Sequence, residues 1–409
     1  MQKTTVQNIH QSLQLSLSAI GPIAECILLD YPNYYNIGDR LIWLGTLFYL
    51  ASIDARISYA ASITDCSDEA IARHPHYPIL LQGGGNLGDL WPQFQSFRER
   101  IISQYPHQPI VILPQSIHFE DSHNLRRAAR VFNSHPNLTL FVRDTKSDQI
   151  ARHHFHQCRV FKAPDMALQM ALLPGLEHRP IGSSILFLGR QDKENNAAFS
   201  PENLGLESLC DRLLVEDWVS FSWMNKLPPN WPYVPGLVRL IREGWQRGLS
   251  HPVAWVQRQQ WMHLHPGATI LGERYRSAIY KSSWSMMHSG LHQLAQHRLV
   301  VTNRLHVHIL CALMDIPHVV LPGSYHKISS FYEAWSQGLE NCRLVSDPRE
   351  VKSAAADLLE QQENLPKEKV RGPLKGSAFK IAFNEHNQGK SGLEESGLAE
   401  SGLERVGRG

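Results

Sequence analysis

Short apolar runs alternate with segments of helical hydrophobic period through the first half of the chain. Arg40–Ala51 is one helical segment, and apolar residues recur at helical spacing between Leu90 and Ile102. Strands that alternate with helices in this way predict a parallel sheet with helices on both faces. The predicted strands are Glu25–Tyr31, Ile53–Ala60, Tyr77–Gln82, Pro109–Pro114, Leu138–Arg143 and a sixth that closes at Ala163–Asp165.

A second series of the same kind begins after the segment Leu173–Pro180, which contains Pro, Gly and charged residues and predicts a domain boundary. Its predicted elements are strands at Ser183–Gly189, Arg298–Thr302 and Pro317–Leu321 and helices at Val307–Met314 and Phe331–Trp335. The fold class that follows is α/β, with an N-terminal domain at residues 25–175 and a C-terminal domain at residues 180–345.

The other segments differ in composition. Residues 1–24 are predicted as an N-terminal extension and residues 346–388 as a C-terminal helical segment, whereas the Trp- and Pro-rich segment Pro201–Gly267 receives no clear assignment. Residues 391–404 have the sequence SGLEESGLAESGLE, a five-residue repeat that is too short and polar to form a solenoid. Residues 389–409 are therefore predicted to be a disordered tail.

Charge and cysteine usage exclude several classes of protein. The chain has 40 Lys and Arg against 38 Asp and Glu, so nucleic acid is not an expected partner. The six cysteines lie far apart without a CxxC motif, which predicts reduced thiols, and His153, His154 and His156 lack ligand partners at metal-binding spacing. Because signal-peptide features and long apolar stretches are missing, we expect a soluble cytoplasmic protein, with peripheral attachment to a membrane left open.

The segment Asn303–His306 is the first candidate for an anion site. It follows a predicted strand and opens a helix, where free N–H groups and the helix dipole favour an anion. Arg304 adds a fork of donors suited to phosphate or carboxylate, and His306 adds an imidazole that titrates near neutral pH. A helix cap with a surface Arg and a core His explains the segment equally well. His308 should point elsewhere on the helix.

Other candidates also follow predicted strands, at the edge of a parallel sheet where ligands bind. Gly83–Asp89 could bring its backbone close to a ligand, but a tight turn capped by Asp89 is equally plausible on sequence grounds. Helix capping is the stronger interpretation for Asp39 in Asn36–Asp39. The candidate ligand-binding residues in these segments and at the other strand ends are Asn36, Asp39, Gly84, Gly85, Asp89, Arg143, Arg190 and Lys327.

Taken together, these segments resemble the polysaccharide pyruvyltransferase family, in particular its bacterial exopolysaccharide-type branch. The resemblance covers roughly residues 25–345. It implies two Rossmann-like domains that face a central cleft, similar to GT-B glycosyltransferases. The matching segments are DYPNYYNIGDRLIWLG (Asp30–Gly45), LLQGGGNLGDLW (Leu80–Trp91), PQSIHF (Pro114–Phe119), VRDTKS (Val142–Ser147), APDMAL (Ala163–Leu168), GRQDKE (Gly189–Glu194) and TNRLHVHILCALMDIPHV (Thr302–Val319), followed by Tyr325, Lys327, Phe331, Tyr332 and Trp335.

The resemblance implies phosphoenolpyruvate as the donor substrate, no further cofactor, and a sugar or lipid-linked oligosaccharide as the acceptor. It assigns phosphoenolpyruvate binding to Arg304, Leu305 and His306, with Arg190 as the best match for a second arginine. Asn303 stands where relatives often have Ser, and we expect it still to cap the helix.

The mechanism that this implies uses Arg304 and Arg190 to hold the phosphate and the carboxylate. His306 is the leading general acid or phosphate donor. One of Asp39, Asp89 and Asp165 would orient or deprotonate a sugar hydroxyl. Two alternatives remain open at this point: a glycosyltransferase that uses a nucleotide sugar, and a non-catalytic sugar-binding protein on the same scaffold.

Overall fold

The computed structural model describes residues 5–34, 36–173, 176, 183–190, 194, 196–218 and 278–364, and its strands form two parallel sheets. In the first sheet the strand order is β2-β1-β3-β5-β6-β7, and β4 also pairs with β5. All pairings are parallel, which requires a crossover connection between neighbouring strands. Its strands are β1 (Glu25–Leu29), β2 (Arg56–Ala61), β3 (Ile79–Leu81), β4 (Gly84–Gly88), β5 (Ile110–His118), β6 (Leu138–Val142) and β7 (Arg159–Lys162).

The apolar runs form strands because the side chains on both faces of this sheet are buried. In β1, Leu28 belongs to one hydrophobic cluster, whereas its neighbours Ile27 and Leu29 belong to another. This alternation is the geometry of an extended strand covered on both sides. The helices of this part of the chain are α1 (Val6–Leu17), α2 (Ile37–Ser52), α3 (Asp68–Ala72), α4 (Pro92–Gln104), α5 (Ser122–Ser134) and α6 (Thr145–His154).

The second sheet has the strand order β12-β11-β10-β8-β9 and is also parallel throughout. It is connected to the first sheet through a shared hydrophobic cluster, which includes Leu28 and Leu80 from the first sheet and Leu186 and Val300 from the second. Its elements are β8 (Ile185–Leu188), β9 (Leu213–Glu216), α7 (Ala278–Leu294), β10 (Leu299–Thr302), α8 (Leu305–Met314), β11 (His318–Val320), α9 (Lys327–Phe331), which continues as a π-helical turn (Tyr332–Ser336), β12 (Cys342–Leu344) and α10 (Val351–Glu363).

Both sheets have the same topological feature. In each of them the first strand along the chain lies between the second and the third, so β1 separates β2 from β3 and β8 separates β9 from β10. The direction of winding therefore reverses beside β1 and beside β8. Ligands of open α/β sheets bind outside the carboxyl ends of the strands at such switch points. The α/β class is confirmed, while the arrangement of two domains around a cleft stays a prediction.

The structure corrects three of the predicted boundaries. The helix predicted at Arg40 begins at Ile37, and the sixth strand ends at Lys162, before Ala163. The glycine-rich segment predicted as a loop contains the short strand β4, because its backbone pairs with the end of β5.

Several predicted segments lie wholly or partly outside the described residues. These are the boundary at Leu173–Pro180, most of Pro201–Gly267 and the tail at residues 389–409, whereas α10 falls within the predicted helical segment. Within the described part of the chain, every helix is too short or too polar to cross a bilayer.

Candidate active site

The switch point of the second sheet joins two of the predicted segments. The Thr302 hydroxyl donates a hydrogen bond to the Leu188 carbonyl at 2.7 Å and accepts one from the Arg304 N–H at 3.0 Å. The buried Asn303 side chain accepts a hydrogen bond from the Arg190 N–H at 2.8 Å. Asn303 therefore ties the ends of β8 and β10 together. The expectation that it caps α8 is wrong, because Arg304 occupies the N-cap position without a side-chain cap.

The three residues of the Arg-Leu-His segment point in different directions. The Arg304 guanidinium forms an ion pair with Asp217, which follows β9. Leu305 is buried in the hydrophobic cluster that the two sheets share. The His306 imidazole is partly exposed, and its Nε2 lies 3.6 Å from Oδ2 of Asp165. The sequence motif thus supplies a charged group, a core residue and a titratable group from a single helix start.

His306 also packs against the first turn of α2. A Cβ added to Gly38 would collide with Nδ1 of His306, so this position needs glycine to let the ring approach the helix. Asn36 caps α2 by accepting a hydrogen bond from the Gly38 N–H at 2.9 Å. The structure therefore brings together two segments that the sequence offered as separate candidates. The sequence favoured Asp39 as the cap, and this is wrong, because Asp39 instead accepts a hydrogen bond from the Tyr34 hydroxyl at 3.0 Å.

A buried ion pair lies on the other side of His306. Arg143, which follows β6, pairs with Asp165, which follows β7, and both side chains are almost completely buried. Arg143 Nε donates a further hydrogen bond to the Ser116 hydroxyl at 3.0 Å. Burial opposes ionisation of Asp165, but Arg143 and His306 outweigh it and hold the pKa of this carboxyl well below its usual range. Asp165 is consequently a fixed negative charge next to the imidazole.

Lys327 connects the second sheet to the glycine-rich segment of the first. A Cβ added to Gly85 would lie 2.7 Å from Nη2 of Arg143 and 3.0 Å from Cδ of Lys327. Only glycine therefore allows both cationic side chains to approach the backbone here. Burial lowers the pKa of Lys327 to about 8, against the opposing effect of Glu194, and the positive charges of Arg190 and Arg143 lower it further.

Glu194 is shared by two of these cations. One of its oxygens accepts from Arg190 Nη2 at 2.9 Å, and the other forms an ion pair with the Lys327 ammonium. Three predicted binding residues, Arg143, Arg190 and Lys327, thus lie around a small set of buried carboxylates. This is a positively charged environment with donors from both sheets, and it can accept an anion with several oxygens.

The sequence interpretation missed three aromatic residues of this site. The ring of Tyr325 packs against that of His118 with centroids 4.3 Å apart, and His326 lies next to both. The Tyr325 hydroxyl and the Nε2 atoms of His326 and His306 are buried and lack a hydrogen-bond partner among the described residues. The position of two of these residues in the chain could have revealed them. His118 ends β5 and Tyr325 follows β11, so both lie at the carboxyl ends of strands, where ligands bind.

Two other predicted residues, Asp89 and Gly84, organise the backbone around the site instead. Asp89 accepts hydrogen bonds from the N–H groups of Glu120 and Asp121, both at 2.9 Å. The expected Asp89 cap is wrong, because α4 begins only at Pro92. Gly84 pairs with Gln115 in the ladder between β4 and β5. These residues shape the loops around the site without contributing a charged group to its centre.

The switch point of the first sheet is occupied by a buried ion pair. Asp30 follows β1 with a φ of 68° and accepts a hydrogen bond from Arg98 at 2.8 Å, and Arg98 also donates to Asn86 Oδ1 at 2.6 Å. Burial raises the pKa of Asp30 to about 7 although Arg98 opposes this shift. This part of the chain therefore contributes to the candidate site through the ends of β5, β6 and β7, through Gly85 of β4 and through the first turn of α2.

One cluster of the described residues has the side chains of a metal site, namely His308, His318 and Cys342. The two rings are joined by a 2.7 Å hydrogen bond between His308 Nδ1 and His318 Nε2, and the remaining ring nitrogens contact Ser336 Oγ and the Ile316 carbonyl, both at 2.8 Å. All ring nitrogens are thus satisfied without an ion. As predicted, His308 points away from His306 and into the core.

Comparison with known proteins assigns the chain to a family. The sequence profile of the family described as Polysaccharide pyruvyl transferase matches residues 36–243 and 258–325. The chain is 30% identical over 346 residues to "Putative pyruvyl transferase EpsO" of Bacillus subtilis, covering 84% of this chain and 95% of that protein. It is 26% identical over 360 residues to "Pyruvyl transferase 1" of Schizosaccharomyces pombe, covering 83% and 77%. The chain therefore belongs to the polysaccharide pyruvyl transferase family and is an enzyme of the transferase class.

Proposed function

We propose that this enzyme transfers the pyruvyl group of phosphoenolpyruvate to a sugar of an exopolysaccharide or its lipid-linked precursor and forms a cyclic ketal. The observation that carries the proposal is the convergence of Arg143, Arg190 and Lys327, of which Arg143 shares Asp165 with His306. Phosphoenolpyruvate bears a phosphate and a carboxylate on one small molecule, so it needs several cationic donors within a short distance. No cofactor is required for this chemistry.

Burial explains why these cations favour an anionic substrate. A buried charge is costly unless it is paired, and Glu194 is shared between Arg190 and Lys327. An incoming phosphate or carboxylate offers further acceptor oxygens to the same donors, with charge-assisted hydrogen bonds that are stronger than neutral ones. Arg304, which follows β10 and pairs with Asp217 after β9, gives the site a second cationic position.

His306 is the proposed general acid. A proton of its imidazole is transferred to the methylene carbon of the donor, where the double-bond electrons form the new C–H bond and leave an oxocarbenium-like carbon. One sugar hydroxyl oxygen bonds to this carbon and loses its proton. The carbon–oxygen bond to phosphate then breaks and phosphate leaves. The second hydroxyl oxygen bonds to the same carbon and gives its proton to the departing phosphate, which closes the ketal. Asp165 supports the first step by position, because its fixed negative charge lies next to the imidazole and holds the ring in place.

Of the three aspartates considered for the sugar hydroxyl, Asp39 is the best placed. It follows Gly38, which packs against His306, and its side chain is partly exposed. Asp165 is engaged by Arg143, and Asp89 accepts two backbone hydrogen bonds away from the charged groups. We therefore propose that Asp39 orients the acceptor hydroxyl and takes up its proton.

A phosphate-release assay tests the function directly. The protein is incubated with phosphoenolpyruvate and a panel of sugars and lipid-linked oligosaccharides, and product is identified by the mass of the added pyruvyl group. His306→Ala and Arg304→Ala should each lower turnover, His306→Ala by roughly 10²–10⁴-fold if it removes the acid. His123→Ala, which changes an exposed histidine at the start of α5, is the matched control and should keep full turnover.

Near-normal turnover in both site variants would contradict the assignment of the residues. Transfer from a nucleotide sugar, with none from phosphoenolpyruvate, would show a glycosyltransferase instead. Sugar binding without turnover of either donor would show a binding protein on this scaffold.

A further inference from the structure

The Tyr325 hydroxyl is a buried polar group whose role the contacts within the protein do not explain. Its oxygen is inaccessible to solvent and has no hydrogen-bond partner among the described residues. The ring is held in place, since it packs on His118 and lies 5.2 Å from the Lys327 ammonium above its face. Buried tyrosine hydroxyls are normally hydrogen-bonded, so an unpartnered one at a fixed position indicates a ligand.

The charges around this hydroxyl determine what it can bind. Glu194, Arg143, Arg190 and Asp144 all act on it electrostatically. Burial, reinforced by Glu194, raises the pKa of Tyr325, so the phenol keeps its proton at neutral pH and is a hydrogen-bond donor. A protonated donor with three cations nearby, Arg143, Arg190 and Lys327, matches an oxygen of an anion.

The distribution of charge within the site indicates which end of the donor lies here. The neighbours of Tyr325 include the cations Arg143, Arg190 and Lys327, with Glu194 shared between two of them. His306 and Arg304 instead each face an aspartate. The more highly charged end of the substrate, with three terminal oxygens, belongs beside the larger group of cations.

We infer that the Tyr325 hydroxyl donates a hydrogen bond to the phosphate group of the donor substrate. The inference rests on the proposed function for the identity of that donor, but the contact itself requires only a phosphate. Tyr325 is then a substrate-binding residue, as are the charged residues of the site. It explains why a tyrosine, rather than a phenylalanine of the same shape, occupies this position.

Tyr325→Phe tests the inference because it removes one oxygen and keeps the ring on His118. Binding of phosphoenolpyruvate, inorganic phosphate and pyruvate is measured by calorimetry on the full chain. We expect about tenfold weaker binding of the first two ligands, as for a lost hydrogen bond to a charged group, and unchanged binding of pyruvate. Tyr49→Phe is the control, because the Tyr49 hydroxyl donates to the Leu17 carbonyl at 3.3 Å, away from the site.

The melting temperature without ligand separates binding from a structural role. Tyr325→Phe should melt at the wild-type temperature or above it, since the hydroxyl has no partner in the part of the chain that the structure describes, whereas a structural hydroxyl would give a clear decrease. Unchanged affinity for phosphate, or weaker binding of pyruvate in place of phosphate, would overturn the inference. A wild-type protein that binds phosphate but not phosphoenolpyruvate would refute the proposed function, while the phosphate measurements would still decide the role of Tyr325. Failure of the wild type to bind either ligand would overturn both.

Discussion

At the scale of single residues, Asp165 connects the two kinds of charged group in the site. It pairs with the buried Arg143 on one side and lies 3.6 Å from His306 on the other. A buried charge that loses its partner is strongly destabilising, whereas an exposed ion pair contributes little. Asp165 is therefore important for stability as well as for the proposed acid.

Asp165→Asn is expected to lower the free energy of unfolding by about 3–5 kcal/mol, because the Arg143 charge stays buried without a counter-charge. Turnover should fall as well, since the charge beside His306 is lost. Urea unfolding and the phosphate-release assay measure the two effects. Asp148→Asn is the matched control, because Asp148 pairs with a largely exposed Arg152 one helical turn away, and it should cost only about 0.3–0.5 kcal/mol. An equal decrease in the free energy of unfolding in the Asp165 and Asp148 variants would contradict the role of Asp165.

At the scale of elements, a hydrogen-bonded histidine pair joins α8, β11 and the π-helical turn. His308 on α8 contacts His318 on β11, and its other nitrogen contacts Ser336 at the end of the turn. Burial lowers the pKa of His318 to about 4 and holds that of His308 well below its usual value. The same helix that presents His306 to the site is thus fixed at its second turn by a neutral polar network.

This network predicts that the protein loses stability in acid. The unfolded chain protonates His318 below a pH of about 6.5, whereas the folded protein takes up that proton only near pH 4. Protonation therefore favours the unfolded state between these values, and the loss from this residue should reach on the order of 3 kcal/mol by pH 4. Urea unfolding from pH 7 to pH 4 measures the loss, and His318→Phe should make the dependence on pH shallower. His107→Phe, which changes an exposed histidine, is the control. If its stability depended on pH as weakly as that of the His318 variant, this explanation would be contradicted.

At the scale of the whole molecule, the site depends on contacts between the two sheets. The segment after β11 carries Tyr325 and Lys327 to the ends of β5 and β6, and the Lys146 N–H donates to Ser330 Oγ at 2.9 Å. Trp335, in the π-helical turn, donates from Nε1 to the Arg143 carbonyl at 2.9 Å. The backbone that positions a central cation of the first sheet is therefore held by a residue of the second.

Trp335→Phe should weaken this connection without removing a charged group. The Arg143 carbonyl loses a hydrogen bond, so we expect a stability loss of about 1 kcal/mol from that bond, a several-fold higher KM for phosphoenolpyruvate and little change in kcat. Steady-state kinetics and thermal unfolding provide the measurements. Trp43→Phe is the control for ring size, because its indole nitrogen has no hydrogen-bond partner among the described residues. The same rise in KM in the Trp43 variant would show that the hydrogen bond from Trp335 to Arg143 does not position Arg143 for substrate binding.

The sequence by itself determined the order of elements and most of the charged residues of the site. Apolar runs at strand and helix periods gave the α/β class, since local burial patterns follow from the geometry of each element. Arg143, Arg190, Arg304, His306 and Lys327 all became candidates because each follows the carboxyl end of a predicted strand. Helix caps were assigned less well, because Asn303, Asp39 and Asp89 each had another polar group within reach.

Only the tertiary structure decided which of these residues act together. Sequence patterns report contacts within one turn or one strand, whereas the contacts of His306 with Gly38 and Asp165 join segments far apart in the chain. The Tyr325 hydroxyl became a candidate only once burial and the lack of a partner were visible. Burial and pairing are properties of packed neighbours, and those neighbours come from two sheets that fold against one core.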